Sequence, residues 1–147
     1  MKIVVRTRVA APMPQVMAGF TRELFLKLAP PFPPVQLLRF DGCKVGDEVH
    51  LRLNFILFKQ TWTSLITDAW DTPTATGFED QGRQLPLFLG YWRHKHRLEP
   101  AGTGTVIIDD IEYQAPIKAL SFMLWPVLYL QFAYRKPVYR RVFGAPR

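Results

Sequence analysis

Between Lys2 and Val9 the chain alternates, with Ile3, Val5, Thr7 and Val9 on one parity and Arg6 and Arg8 on the other. A period of two belongs to a strand with one buried and one wetted face. Pro12 and Pro14 break the pattern. Proline is tolerated in the first turn of a helix, so a short helix is expected over residues 12–19. Thr21 is a good N-cap residue for a second short helix, "TRELFLKLA", which the run "PPFPP" at 30–34 stops. Strands follow in series. "VQLLRF" ends at Asp41-Gly42, and "DEVHLRLNF" alternates with Val49, Leu51, Leu53 and Phe55 inward and His50, Arg52 and Asn54 outward. "KQTWTSLITDAW" is rich in β-branched and aromatic residues, "TATGFED" reads as a shorter strand, and "GRQLPLF" as a loop around Pro86.

The clearest alternation is "YWRHKHRLEP", residues 91–100. Trp92, His94, His96 and Leu98 share one face, while Arg93, Lys95 and Arg97 share the other. The turn "PAGTG" joins this strand to "TVIIDDIEY", where Thr105, Ile107, Asp109, Ile111 and Tyr113 share a face. Pairing the two apolar faces leaves two registers, with Asp109 opposite either His96 or His94. Either one sets a carboxylate beside an imidazole on the inner face. On the outer face the cations meet Asp110 and Glu112, in exposed pairs worth roughly 0.2–1 kcal/mol each.

From Pro116 the period changes. Residues 116–143 read as one long helix, kinked at Pro126 and kinked or ended at Pro137. The order is then a strand, two short helices, about six antiparallel strands and a long C-terminal helix. That is an α+β arrangement with helices against one face of a curved sheet. Within the long helix, residues 119–133 are uncharged. This is shorter than the roughly 20 apolar residues of a membrane span and contains Pro126. It is nonetheless apolar nearly all round, so the helix's outer side is expected to meet a second copy, a membrane surface or other loops.

The length of 147 residues suits a single domain over 1–147. One cysteine, Cys43, excludes an internal disulfide and a cysteine-based metal cluster. Charges at Lys2, Arg6 and Arg8 interrupt any apolar signal segment, and with the lone cysteine they suggest a cytoplasmic protein. The net charge of +7 is concentrated at the C-terminus: no acidic residue follows Glu112. Arg135, Lys136, Arg140 and Arg141, beside Tyr134, Tyr139 and Phe143, suit a solvated helix end or an anionic bilayer surface. No nucleic-acid module is present, and no nucleic-acid partner is expected.

The candidate chemistry is the hairpin's inner face. An Asp109 carboxylate beside His94 or His96 would orient the ring and favour its charged form. Three uses are open: a satisfied polar network, a ligand-contacting or acid–base site, and a metal site of His94, His96 and Asp109. Two histidines alternating on one strand face can chelate zinc, but the motif is short. No nucleophile elbow, phosphate-binding glycine loop or His-Glu-x-x-His motif occurs, and no cofactor is expected.

The ordered set "W-x-H-x-H" at 92–96, the glycine turn, "GT" at 104–105, Asp109, Tyr113 and Pro116 resembles a pattern of the START/Bet v 1-like superfamily, also called SRPBCC. "AP" at 11–12 with Val16, "FDG" at 40–42 and "FAYR" at 132–135 fit the same resemblance, which spans nearly the whole chain. It implies a helix-grip fold, in which a sheet of six to seven strands wraps a long C-terminal helix and encloses an apolar cavity. It also implies binding or transfer of a lipid, isoprenoid or polyketide-like molecule, with Trp62, Trp92, His94, His96, Asp109 and Tyr113 in the cavity wall. The apolar loop "GRQLPLFLG" before Trp92 reads either as an ordinary packed connection or as part of a lid over such a cavity. A cyclase- or hydrolase-like enzyme with His94 or His96 as base, oriented by Asp109, is the alternative. A third reading is an interaction protein that docks through its C-terminal helix.

Overall fold

A computed structural model describes residues 1–146. Seven strands form one antiparallel sheet, in the order β1-β7-β6-β5-β4-β3-β2. They are β1 (Lys2–Val9), β2 (Val35–Phe40), β3 (Glu48–Asn54), β4 (Lys59–Asp71), β5 (Thr76–Gln84), β6 (Tyr91–Ala101) and β7 (Gly104–Gln114). The helices are α1 (Met13–Ala18) and α2 (Arg22–Leu28), between β1 and β2, and α3 (Lys118–Ala133) and α4 (Arg135–Phe143) at the C-terminus. Strands β2 to β7 pair each with the next in sequence, and β1 closes against β7.

Local chemistry accounts for most boundaries. Thr21 caps α2, its hydroxyl accepting from the Leu24 amide at 3.4 Å. The β6–β7 turn passes through Gly102 at φ +63°, a conformation that glycine adopts without a Cβ penalty. The register sets His96 opposite Asp109 and Trp92 opposite Tyr113, one of the two expected pairings.

Two expectations need correction. Strand β5 runs on to Gln84, so the loop expected over 82–88 begins later. The C-terminal helix is two helices rather than one, parting at Tyr134. Pro137 supplies the reason: its ring crowds the carbonyl four residues back, at Ala133, where α3 stops. Pro126 lies inside α3, which continues through it.

The interior divides in two. At one end α1, α2 and α4 pack on the sheet, and Val9, Val16, Leu98, Ile107, Tyr139 and Phe143 fill the space. Under α3, Ile3, Val5, Trp92, Ile111, Leu128 and Phe132 form a second cluster. Beyond it, towards β2–β5, the sheet curves away and leaves a cavity. No helix among the described residues is long and apolar enough to cross a membrane.

Candidate functional site

The cavity has a volume of about 640 Å³. Its walls come from alternate residues of the inner sheet face, because a period of two aims every second side chain the same way. Strand β3 supplies Val49, Leu51 and Leu53, and β4 supplies Trp62, Ser64 and Ile66. Strands β5 and β6 supply Phe78, Asp80, Trp92, His94 and His96. Residues Leu124, Leu128 and Phe132 of α3 form the opposite wall, with Arg135 at the start of α4. Cys43 and Phe88 also line it, so the loop before Trp92 does contribute to the enclosure.

Polar groups gather at one place on this apolar wall. His94 Nε2 donates to Asp109 Oδ1 at 2.9 Å, since an ionised carboxylate can only accept. His96 Nε2 lies 3.3 Å from Asp80 Oδ2. The remaining ring nitrogens also face carboxylates, His94 Nδ1 at 3.6 Å from Asp80 Oδ2 and His96 Nδ1 at 3.7 Å from Asp109 Oδ1. Arg135 Nη1 lies 3.5 Å from Asp109 Oδ1, with its guanidinium carbon 4.2 Å from the centre of the Phe132 ring. Such stacking suits a guanidinium removed from water. The rings are held in place: Phe78 stacks on His96 at 4.4 Å between ring centres, and Phe132 meets His94 edge-on at 5.0 Å.

Burial and neighbours set the charges. Burial alone would push the Asp109 carboxyl up, but the hydrogen bond from His94 and the charge of Arg135 outweigh it and hold it below the usual range. Asp80 shows the same balance, with burial opposed by the hydrogen bond from His96 and by the His94 ring. His96 goes the other way: burial, together with its neighbour His94, lowers it to about 4 against the pull of Asp80. The His96 ring is therefore neutral near neutral pH, between two charged carboxylates. Cys43 is pushed up to about 12 by burial and by Asp47 and Asp80, and stays a thiol.

The expected site residues fall into two sets. Trp62, Trp92, His94 and His96 line the cavity. Asp109 and Tyr113 do not: both are fully buried behind the wall. The Tyr113 hydroxyl donates to the Ser121 carbonyl at 2.7 Å, tying β7 to α3. Asp109 thus bears on the cavity through the side chains in front of it, His94, Arg135 and, at 3.7 Å, His96. The expected trio of His94, His96 and Asp109 is also regrouped, because the ligand-type atoms that converge are those of Asp80, His94 and His96. Asp80 sits directly opposite His94 on the neighbouring strand, a juxtaposition that depends on β5–β6 pairing. In sequence Asp80 is one of two adjacent acidic residues in a largely polar strand, and nothing local marks it as facing the histidines.

Arg135 also departs from expectation. The sequence groups it with Lys136, Arg140 and Arg141 as a basic outer surface, but its side chain turns inward and is 16% exposed. Lys136 is half-buried, and Arg140 and Arg141 are exposed. The exposed surface of α3 is apolar as expected, with Phe122 and Met123 in solvent and Val127 and Leu130, also exposed, bordering the cavity. The β3–β4 turn exposes Ile56, Leu57 and Phe58. Leu87 lies beside that turn, its amide donating to Gln60 Oε1 at 3.1 Å.

The sequence matches no protein-family model and no curated protein. Its fold does match solved structures. The Zhui aromatase/cyclase from Streptomyces sp. R1128 is 18% identical, with a TM-score of 0.66 over 97% of this chain and 95% of that one. Norcoclaurine synthase from Thalictrum flavum is 15% identical, with a TM-score of 0.67 over 99% of this chain and 95% of that one. Protein Ms6760 from Mycobacterium smegmatis is 17% identical, with a TM-score of 0.68 over 96% of this chain and 89% of that one. At such identities the likeness speaks to architecture alone: the chain has the helix-grip fold of the START/Bet v 1-like proteins that its tryptophan–histidine hairpin resembles.

Proposed function

We propose that this protein binds a hydrophobic small molecule in the cavity between the sheet and α3, and carries or presents it. The observation that carries this reading is the cavity itself. About 640 Å³ is enclosed by a mostly apolar wall with its polar groups collected in one cluster. Small-molecule sites typically have volumes of about 300–1,000 Å³ and combine an apolar surround with a few placed polar groups. The ligand's body lies against Leu51, Leu53, Trp62 and Phe132, and its polar end meets His96, Asp80 or Arg135. A lipid, isoprenoid or polyketide-like molecule has that make-up.

A second reading rests on the 2.9 Å contact of His94 with Asp109. An imidazole oriented by a carboxylate and facing an enclosed cavity has the arrangement of a general base. Two of the structurally similar proteins are, by name, an aromatase/cyclase and a synthase. The corresponding activity here would be cyclase- or hydrolase-like, with Asp109 as a positioning residue.

Native mass spectrometry of the gently purified protein, beside its denatured mass, tests the binding reading, together with titration by anilinonaphthalene sulfonate. A co-purified organic mass, or saturable probe fluorescence abolished by Val49→Trp, supports it. A clean mass with no saturable probe binding by a folded protein overturns it. The enzymatic reading is sharpened with any substrate found. Asp109→Asn then lowers turnover by about 10²–10⁴-fold, the usual contribution of a positioned acid–base group.

A further inference from the structure

The four contacts between the two histidines and the two aspartates cannot all be hydrogen bonds. Each ring nitrogen faces a carboxylate oxygen, at 2.9, 3.3, 3.6 and 3.7 Å. Filling all four with hydrogen bonds would need both rings doubly protonated with their centres 3.7 Å apart, because ionised carboxylates own no hydrogen to give. At least one approach therefore sets a nitrogen lone pair against a carboxylate. The shortfall is visible where it falls: His96 Nδ1 and Asp109 Oδ2 are both buried without a hydrogen-bond partner. Unpaired polar atoms in such a place are costly and ask for an explanation.

One arrangement removes the unmatched lone pairs. If each ring turns its cavity-side lone pair to a cation, each keeps an N–H for Asp109. The cavity-side atoms are Asp80 Oδ2, His94 Nδ1 and His96 Nε2, and they lie within 4.8 Å of one another. Asp80 Oδ2 is 3.3 Å from His96 Nε2 and 3.6 Å from His94 Nδ1. Ligand bonds of about 2.0–2.2 Å to one ion put neighbouring ligand atoms roughly 3–3.5 Å apart. The two Asp80–histidine separations lie at or near that spacing, and small side-chain rotations bring the two ring nitrogens onto one ion. Behind the rings, Asp109 accepts from His94 at 2.9 Å and lies on the same side of His96. A carboxylate behind a metal-bound histidine is the common second layer of such sites, fixing tautomer and orientation.

We propose that Asp80, His94 and His96 form a binding site for one divalent transition-metal ion in the cavity wall, with Asp109 orienting both histidines. Two imidazoles and one carboxylate suit zinc or iron(II) and not magnesium, which prefers oxygen ligands. The remaining coordination positions open into the cavity, within reach of a ligand's polar end. The site needs no apolar ligand in place, so it stands or falls separately from the carrier reading.

The test uses the full chain, stripped with a chelator and titrated with Zn²⁺ by calorimetry and with Co²⁺ by visible absorption. Expected is saturable uptake of a single ion, with a ligand-field spectrum showing nitrogen coordination and no competition from equimolar Mg²⁺. Asp80→Asn and His96→Gln, both near-isosteric, should abolish uptake while far-ultraviolet circular dichroism shows the fold retained. Asp109→Asn should weaken binding about 10–100-fold without changing stoichiometry. His50→Gln should leave binding unchanged, since His50 lies on the outward parity of β3, beside Glu48 at 2.6 Å. No saturable uptake by the wild-type chain overturns the proposal. So does uptake that survives His96→Gln, disappears with His50→Gln or yields to Mg²⁺. Probe fluorescence on the metal-free protein, run alongside, reports on the carrier reading independently.

Discussion

The two halves of the interior are built from the same strands and behave as different materials. Strands β6 and β7 serve both. Towards α1, α2 and α4 their inner faces carry Leu98 and Ile107, which are 1% and 0% exposed and sealed by Tyr139 and Phe143. Towards α3 the same face of β6 carries His94 and His96, which look into open space with β3, β4 and β5. One half is a close-packed solid in which every methylene has neighbours. The other has side chains with neighbours on one side only. A single sheet can therefore spend part of its surface on stability and leave part for a guest.

Substitutions in the packed half should show the largest effects. Ile107→Ala is expected to cost about 2–5 kcal/mol, because it opens a void in a region that cannot collapse. Denaturant unfolding measures it. Leu51→Ala, of similar size, removes a side chain that already borders a void, and the same assay should give about 1 kcal/mol. Equal costs at the two positions would mean that the hollow is closed in solution.

Acid should act on the hollow half first. His96 is held at about 4 in the fold, below its ordinary 6.5. Between those values the unfolded chain takes up a proton that the folded chain refuses, so stability falls as the pH falls. The slope from this one group approaches 1.4 kcal/mol per pH unit, by the ordinary linkage relation of about that size. Asp80 and Asp109, both lowered, extend the loss to still lower pH, since their stabilisation is present above the unfolded carboxylate range and disappears as they protonate. His96→Gln should flatten the profile between pH 6.5 and 4 in chemical-denaturation series. An unchanged profile would move the acid sensitivity elsewhere in the molecule.

The smallest expected effect on stability is the most telling for the cavity. Val49→Trp fills space that is already empty, so unfolding free energy should change by less than about 1 kcal/mol. Anilinonaphthalene sulfonate affinity should fall at least tenfold, about 1.4 kcal/mol. If the substitution cost several kcal/mol and left the probe's affinity intact, the probe would be binding outside the cavity.

Much of this division could be read from the chain. The alternation at 91–100 placed Trp92, His94 and His96 on one face, and the glycine turn fixed their partner strand, because strand parity is a local property. The same holds for β3, whose inward residues Val49, Leu51 and Leu53 all line the cavity. What failed to show were registers between neighbouring strands that no tight glycine turn fixes, such as β5 and β6, which a loop over 85–90 joins. Asp80 became a partner of His94 only through the β5–β6 register, and bulges at Thr63/Ser64 and Ile66/Asp68 interrupt the simple counting in β4 and β5. Charge alone groups Arg135 with the outer cations, whereas its place over Phe132 and beside Asp109 is a tertiary contact that composition does not carry. Tyr113 and Asp109 had the correct parity but sit on β7, behind the helix packing, where parity says nothing about depth.

The lone thiol of Cys43 gives the hollow its own clock. It lines the cavity and, with its ionisation pushed up to about 12, presents almost no thiolate at neutral pH. The thiol is only partly buried, so at fixed pH its alkylation is limited by that scarce thiolate and by access to this stretch of wall. Anything lodged within would slow it further.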